Sequence, residues 1–369
     1  MQIRAEDRIS SLQATVTIIS MIFGTGILTL ARVATDETGT PDAWIDVILG
    51  GVISLILGYM LAALSRKYPD QTFYQFNQKI AGKFLGWLFS GIMILYFVGE
   101  AGYQARSLAE VLHVFLLEQT PIEVLIISFL SVSTYLVIGG INPMVRLFQF
   151  LLPLTMIIFV LVIVLSLQNF ELDNLRPVLG RGVTPLIKGL KATALSYSGF
   201  EIMLLLTAFM KKPVLATRSV FIGISIPLIF YTALVLVAIG SFGTEDLRTM
   251  TWPTMEMTRA VEFPAAFFER FETFFITMWT IEIFTTFVLF YYFAALGMGQ
   301  LVRKNHQYWT YGLLPAIYIG AMLPQDLTEL FTFGDYLGYA AYFLAGVVPA
   351  ILWCVVFIRR KIREQSSAR

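Results

Sequence analysis

"MIFGTGILTL", residues 21–30, lies in the first long apolar segment of the chain and carries Gly24, Thr25 and Gly26 near its midpoint. Glycine in a helix interior costs about 1 kcal/mol relative to alanine, so two glycines around a threonine weaken a helix locally. In lipid each freed backbone group needs a partner, so such a point survives only against protein or a water-filled cavity. The alternative is a continuous helix whose glycines let a neighbouring helix approach closely.

The composition indicates the environment in which this segment folds. Of the 369 residues 57% are hydrophobic and 14% are charged, and the mean hydropathy is +0.73. A soluble domain cannot hide that much apolar surface, so the sequence predicts an integral protein of the lipid bilayer. A net charge of +1 excludes bulk attraction to nucleic acid. The single Cys354 and the lack of a Cys/His cluster at ligand spacing predict no metal site, and we expect no cofactor.

Apolar runs of about 20 residues, each long enough to cross the hydrocarbon, predict an all-α polytopic membrane protein with ten transmembrane helices. Lysine and arginine concentrate in alternate connections, which predicts that both termini are cytoplasmic and agrees with an even number of spans. We treat 1–369 as a single transmembrane domain. The expected spans are 11–34, 44–64, 84–116, 121–139, 144–168, 184–210, 216–240, 268–299, 308–323 and 335–358.

A second weak point lies in span six, "ATALSYSGFEIMLLL" at 192–206, where small residues cluster at mid-span and Glu201 follows at once. Ten helices divide into two five-helix repeats, 11–168 and 184–358, and these have opposite orientation because five is odd. Spans one and six are then corresponding members. Paired interruptions in matching helices of an inverted repeat point to a substrate site at the membrane midplane, so we expect both helices to be broken there.

The two interruptions predict a ligand chemistry. The outer half of span one, beginning near Gly26, would present free N–H groups and a positive helix end to a carboxylate. Span six runs the other way, so its outer half would end near Tyr197 and Ser198 with carbonyl groups for an ammonium. An amino acid carries both charges. A neutral ligand or an inorganic ion would not need both ends.

Charged residues within the spans are the next candidates, because ionisable groups at depth are costly and usually face a bundle interior. Glu100 in span three has no basic residue three or four positions away, which leaves a polar or proton-binding role and a plain hydrogen bond to another helix equally open. Glu282 in span eight lies among Thr277, Thr280, Thr285 and Thr286, and this set of hydroxyls and a carboxylate suits a cation, water or substrate, although threonines also pack helices by bonding their own backbone. Arg106 and Glu110, four residues apart, predict a structural pair.

Several stretches carry a family resemblance. "FGTGILTL" at 23–30 resembles the span-one motif of amino acid/polyamine/organocation transporters, in which a Gly-x-Gly-Ile break holds the substrate carboxylate, and "YSGFE" at 197–201 resembles their span-six motif. Four more are similar to spore germination permeases, the B subunits of nutrient germinant receptors. They are "PDAWIDVILGG" at 41–51, "RKYPDQTFYQFNQKIAGKFLG" at 66–86, "NLRPVLGRGVTPLIKG" at 174–189 and "FPAAFFERFETFFITMW" at 263–279.

The resemblance implies a leucine-transporter-like fold, the inner membrane of a bacterial spore, and assembly with an A and a C subunit. It implies that an amino acid or similar small ligand triggers germination. The alternatives are a proton- or sodium-coupled secondary amino acid transporter and an ion or water conduit. No nucleophile–base pair points to an enzyme. The expected ligand-binding residues are Gly24, Thr25, Gly26, Ile27, Val98, Gly99, Glu100, Tyr197, Ser198, Gly199, Phe200, Glu201, Thr280 and Glu282.

Overall fold

Helices form the regular structure of this protein wherever the computed structural model describes it, which is at residues 7–190, 193–261 and 271–367. Side chains are described within these ranges except at 187, 188, 194, 195 and 360–367. Residues 263–270 lie outside the described residues, and they include the first part of the motif at 263–279 and the first residues of the predicted span eight, 268–270. Two residues of span six, 191–192, also lie outside them. The prediction of an all-helical membrane protein is confirmed.

Seventeen helices follow one another along the described chain. The first nine are α1 Ser11–Ile22, α2 Gly26–Thr38, α3 Ala43–Ser65, α4 Phe73–Ala81, α5 Lys83–Phe115, α6 Ile122–Ile138, α7 Ile141–Ser166, α8 Thr184–Gly189 and α9 Thr193–Ser196. The others are α10 Met203–Leu206, α11 Ala216–Thr249, α12 Pro253–Arg259, α13 Phe271–Val302, α14 His306–Gly312, α15 Leu314–Met322, α16 Leu327–Tyr342 and α17 Val348–Ser367.

Among the described residues, six helical runs are long and apolar enough to cross a membrane. They are α3, α5, α7, α11, α13 and the continuous run of α16 with α17. The helices α1 and α2 pass the same test together but are bent by 54° at a short break. The apolar helix α6 and the segment Phe200–Phe209 are shorter.

The centre of the bundle is formed by α13. Of its most apolar stretch 83% is buried inside the protein, against 28% for α7, so α13 lies centrally and α7 at the lipid edge. The aromatic run at 287–293 is fully or almost fully buried and packs in the core. Large apolar side chains on the outside, such as Phe84 and Leu95 on α5, give the surface that hydrocarbon would contact.

Main-chain hydrogen bonds join a residue just before α1 to residues that follow α10. The Ile9 N–H donates to the Phe209 carbonyl, and the Lys211 N–H donates to the Ile9 carbonyl, both at 2.8 Å. Arg8 next to this bridge forms an ion pair with Asp70 in the connection between α3 and α4. These contacts tie the start of α1 to the end of the α10 segment.

The predicted pairing of Arg106 with Glu110 is confirmed. The Arg106 Nε lies 2.7 Å from a carboxylate oxygen of Glu110, and both side chains are almost completely buried. The remaining guanidinium nitrogens of Arg106 donate to the carbonyls of Ala321 and Gln325, each at 3.4 Å. This ion pair therefore fixes α5 against the end of α15, and it leaves no charge of Arg106 for Glu100.

Candidate functional site

The chain between α1 and α2 leaves the helical path at residues 23–25. Carbonyl groups on both sides of this break accept hydrogen bonds from side chains of surrounding helices, as backbone groups at membrane depth require. The donors are the Tyr231 hydroxyl to Ile22 at 2.6 Å, the Trp279 indole N–H to Gly24 at 3.2 Å, the Thr254 hydroxyl to Ile27 at 2.6 Å and the Thr286 hydroxyl to Ser20 at 3.0 Å.

The α9–α10 segment contains a second departure from regular α-helix. After α9 the chain passes through Gly199, whose φ of +113° is accessible mainly to glycine, and continues as the 3-10 turn Phe200–Ile202. The Gly199 N–H donates to one carboxylate oxygen of Glu201 at 2.8 Å, and the Tyr96 hydroxyl of α5 donates to the other at 2.6 Å. Glu201 is completely buried, so these bonds hold its carboxylate in place.

The two departures from helix touch each other. A Cβ added to Gly26 would lie 2.9 Å from Cα of Ser196, and a Cβ added to Gly199 would lie 2.9 Å from the carbonyl oxygen of Met21. Real Cβ atoms do not approach backbone so closely, so each glycine is needed for the contact. The predicted weak points of spans one and six are therefore neighbours in space.

One face of α5 lines this junction. Tyr96, Glu100 and Gln104 follow one another at intervals of four residues and all are buried. The Gln104 side-chain amide lies 3.3 Å from the position that a Cβ on Gly24 would occupy, so this side chain touches the break in span one. Its amide nitrogen also lies 3.5 Å from a carboxylate oxygen of Glu100. The structure thus brings Glu100 to the same place as the glycines.

Glu282 forms a neighbouring polar cluster on α13. It is completely buried and accepts a hydrogen bond from Thr155 of α7, while the Thr285 hydroxyl lies 3.5 Å from its other oxygen. The Thr286 hydroxyl, which contacts Ser20 before the break, lies 3.0 Å from the main-chain carbonyl of Glu282. Glu282 therefore borders the break in span one from the side of α13.

Three of the predicted site residues lie elsewhere. A Cβ on Gly99 would lie 2.9 Å from Leu337, so Gly99 faces α16, and Val98 beside it is only partly buried. Thr280 lines an apolar surface cleft between α5, α6, α7 and α13, away from the glycines, and its hydroxyl has no hydrogen-bond partner among the described residues.

The remaining predicted residues of span six are buried around the junction. The Tyr197 hydroxyl donates to the Val47 carbonyl of α3 at 3.0 Å. Phe200 also faces α3, since a Cβ on Gly58 would lie 3.6 Å from its ring. Ser198 is almost completely buried beside Gly199. Tyr197 and Phe200 thus hold the segment against α3.

Free space beside the junction is small. A cavity of about 10 Å³ lies between α2, α5, α13 and α16, with Thr25, Tyr103, Ser107, Trp279 and Phe331 in its lining. That is about the room that one water molecule needs. No group of three or more His, Cys, Asp or Glu that could hold a metal ion occurs within the described residues.

The arrangement can bind opposite charges at one place. The helix α2 begins at Gly26, so its first N–H groups lack partners within the helix and favour an anion. Glu100 and Glu201, both completely buried, place two carboxyl groups on the other side of the junction. Sequence reasoning missed Tyr96, Gln104, Trp279 and Thr286, although the four-residue spacing of Tyr96 and Gln104 about Glu100 was a visible signal.

Comparison with known proteins gives the family context. Residues 8–330 match the family model described as "Spore germination protein". Relatives include three proteins of Bacillus subtilis (strain 168). Spore germination protein YndE is 39% identical, and the match covers 96% of this chain and 98% of the relative. Spore germination protein B2 is 34% identical, with 97% of this chain and 98% of the relative covered. Spore germination protein A2 is 33% identical, with 96% of this chain and 97% of the relative covered.

Two solved structures are similar in fold. One is Mhp1, a nucleobase-cation-symport-1 family transporter in a closed conformation with bromovinylhydantoin bound, with a TM-score of 0.68, 13% identity and 94% of this chain and 78% of that chain covered. The other is MhsT in complex with L-phenylalanine, with a TM-score of 0.70, 12% identity and 93% and 89% covered. At such low identity the likeness establishes the fold alone, which is that of a membrane transporter.

Proposed function

We propose, from the premise that this chain belongs to the family of spore germination proteins, that it is the B subunit of a nutrient germinant receptor. In this proposal an amino acid or similar small ligand binds at the membrane midplane and triggers germination. The observation that carries it is the contact between the two departures from helix, Gly26 against Ser196 and Gly199 against Met21.

The proposed architecture has ten transmembrane helices in two five-helix repeats of opposite orientation, at 11–168 and 184–358. Spans one and six are the broken helices. The 54° bend between α1 and α2 and the positive φ of Gly199 support this division, as does the likeness to two transporter folds over most of the chain.

The ligand would lie between spans one, three, six and eight. Its carboxylate would meet the first N–H groups of α2 near Thr25, Gly26 and Ile27, and buried acceptors of spans three and six would face its positive charge. A ligand shifts a conformational equilibrium only through its different affinity for the two states.

The proposal includes partner subunits and a cellular location. The chain would lie in the inner membrane of the spore with both termini in the cytoplasm, and an A and a C subunit would respond to its change of state. The names of the relatives, which are spore germination proteins, support the spore setting. Copurification of tagged A and C subunits with this chain from spore membranes tests the assembly.

Replacement of Gly26 by valine tests the site. A side chain there collides with backbone of Ser196, so we expect spores that carry Gly26→Val to lose germination with every amino acid to which the wild type responds. The matched control is Gly91→Val, because Gly91 also lies in a membrane helix but has open space around it. Wild-type responses of Gly26→Val spores to the whole amino acid panel would contradict the proposal.

The second candidate function is a proton- or sodium-coupled secondary amino acid transporter. The transporter fold and the buried Glu282, which sits among hydroxyl groups where an ion or proton could bind, favour it. Uptake of labelled amino acids into proteoliposomes that contain this chain alone decides between the two. Robust accumulation driven by a proton or sodium gradient would establish the transporter, whereas binding without accumulation agrees with the sensor.

A further inference from the structure

Two buried oxygen atoms beside the break in span one have no hydrogen-bond partner among the described residues. One is the Oε1 of Glu100 and the other is the Oε1 of Gln104. Glu100 is completely buried and Gln104 almost so. The Gln104 amide nitrogen faces the second oxygen of Glu100 at 3.5 Å, so both unpaired oxygens belong to one small cluster against Gly24. Unpaired buried acceptors cost free energy and call for a donor.

The surrounding groups do not supply that donor. The Tyr96 hydroxyl has one proton and donates it to Glu201. Arg106, the nearest basic residue along α5, is bonded to Glu110 and to two carbonyl groups. Among the described residues no ion pair includes Glu100. This carboxyl group therefore lacks a cationic partner within the described part of the chain.

Main-chain carbonyls at the break in span one are already paired. Those of Ser20, Ile22 and Gly24 already accept hydrogen bonds from Thr286, Tyr231 and Trp279. Among the described residues, the side-chain oxygens of Glu100 and Gln104 are buried acceptors beside this break that have no hydrogen-bond partner.

We propose that Glu100, together with Gln104, binds the ammonium group of the ligand, so that the receptor requires a free protonated amine. This inference rests on the proposed function, since it assigns one end of the ligand within that same site. An ammonium group carries three N–H donors, of which Glu100 and Gln104 can accept one each. The ligand's carboxylate then points across Gly24 to the start of α2 at Gly26, and its two charges match the two sides of the junction.

An ammonium fits this cluster better than a metal ion. Sodium and other hard cations take several oxygen ligands at once, whereas the unpaired side-chain oxygens of this cluster, among the described residues, are those of Glu100 and Gln104. The other buried carboxyl group on this side, Glu201, already accepts hydrogen bonds from Tyr96 and from the Gly199 N–H. Glu201 therefore does not compete for the same donor.

The test measures binding to the full-length chain purified in detergent micelles, by the rise in its melting temperature. The probes are the twenty amino acids, each with its N-acetyl derivative, which lacks the ammonium, and its amide, which lacks the carboxylate. We expect the amino acids that stabilise the wild type to lose their effect when acetylated. We expect Glu100→Gln to weaken their binding by about 30-fold or more, as for the loss of one partner of a buried charge pair.

The matched control is Glu123→Gln, which makes the same change on an exposed residue at the start of α6 and should leave binding unchanged. The acetylated probes test the inference on the wild type, so it stays testable if Glu100→Gln does not fold. N-acetyl derivatives that bind as well as their parents, or a folded Glu100→Gln with wild-type affinity, would overturn this inference and leave the proposed function standing. A wild type that no amino acid stabilises would overturn both.

Discussion

Replacement of Gly199 by alanine tests the contact on which the proposed site depends. Gly199 combines a φ of +113° with a position where a Cβ would lie 2.9 Å from the Met21 carbonyl oxygen and 3.0 Å from the Met21 Cβ. The main chain cannot move aside as the tip of a flexible side chain can. Gly199→Ala therefore has to distort either its own backbone or the end of α1.

The expected cost is the sum of two effects. A non-glycine residue in an unfavourable backbone region costs about 1–3 kcal/mol, and a methyl group forced into a filled space costs about 1–3 kcal/mol. Together they predict a loss of about 2–6 kcal/mol in the free energy of unfolding. Two controls separate the effects. Gly39→Ala has a positive φ of +63° with open space, and Gly91→Ala has open space within a regular helix.

The assay is the melting temperature of each purified variant in the same detergent, followed by intrinsic fluorescence. We expect Gly91→Ala to melt at or above the wild type, since alanine is favoured in helices by about 1 kcal/mol. Gly39→Ala should melt somewhat lower, because alanine in a left-handed backbone conformation costs about 1–2 kcal/mol. Gly199→Ala should have the lowest melting temperature of all. If Gly199→Ala melts no lower than Gly39→Ala, the contact with Met21 is not tight and the proposed junction fails.

Two further predictions concern buried charge. Tyr96→Phe and Glu201→Gln should each lower the free energy of unfolding, and Tyr96→Phe should do so by about 1–3 kcal/mol because a buried carboxylate oxygen loses its donor. The double variant should lose less stability than the sum of the two single variants, and additive shifts in melting temperature would refute the coupling. Arg106→Ala should lower the free energy of unfolding by about 3–5 kcal/mol because it leaves Glu110 buried and unpaired. The control Arg176→Ala removes one partner of an exposed pair and should not change the melting temperature measurably. Equal shifts in melting temperature for the two variants would contradict this prediction.

Much of the fold follows from the sequence because length and apolarity alone define a membrane helix. The long spans α3 and α5 begin and end within a few residues of their predicted bounds, and α13 ends within a few residues of its predicted end. The span at 216–240 is followed, beyond a non-helical Gly243, by a further helical stretch that ends at Thr249. Apolarity marks the part of a helix that crosses the membrane but not where the helical structure outside it ends, so the sequence predicts the crossing better than the end.

The candidate site was less accessible to sequence reasoning. Weak helix formers mark where a helix departs from regularity, and both predicted points carry such a departure. Which residues of the other helices face these points depends on the rotation and tilt of each helix, which the composition of a span does not fix. Gln104 lies against Gly24, whereas Gly99, one turn away on the same helix, faces α16. Side chains from different helices meet only once the bundle is packed.

The main-chain bridge of Ile9 with Phe209 and Lys211 has a mechanical consequence. It makes these ends of spans one and six a single unit, with Arg8 attaching the neighbouring loop at Asp70. Any rearrangement that spreads the two spans at their midpoints must either rupture the bridge or move both ends together. In the second case the strip of residues 8–10 and 208–212 would be the moving surface that a partner could sense.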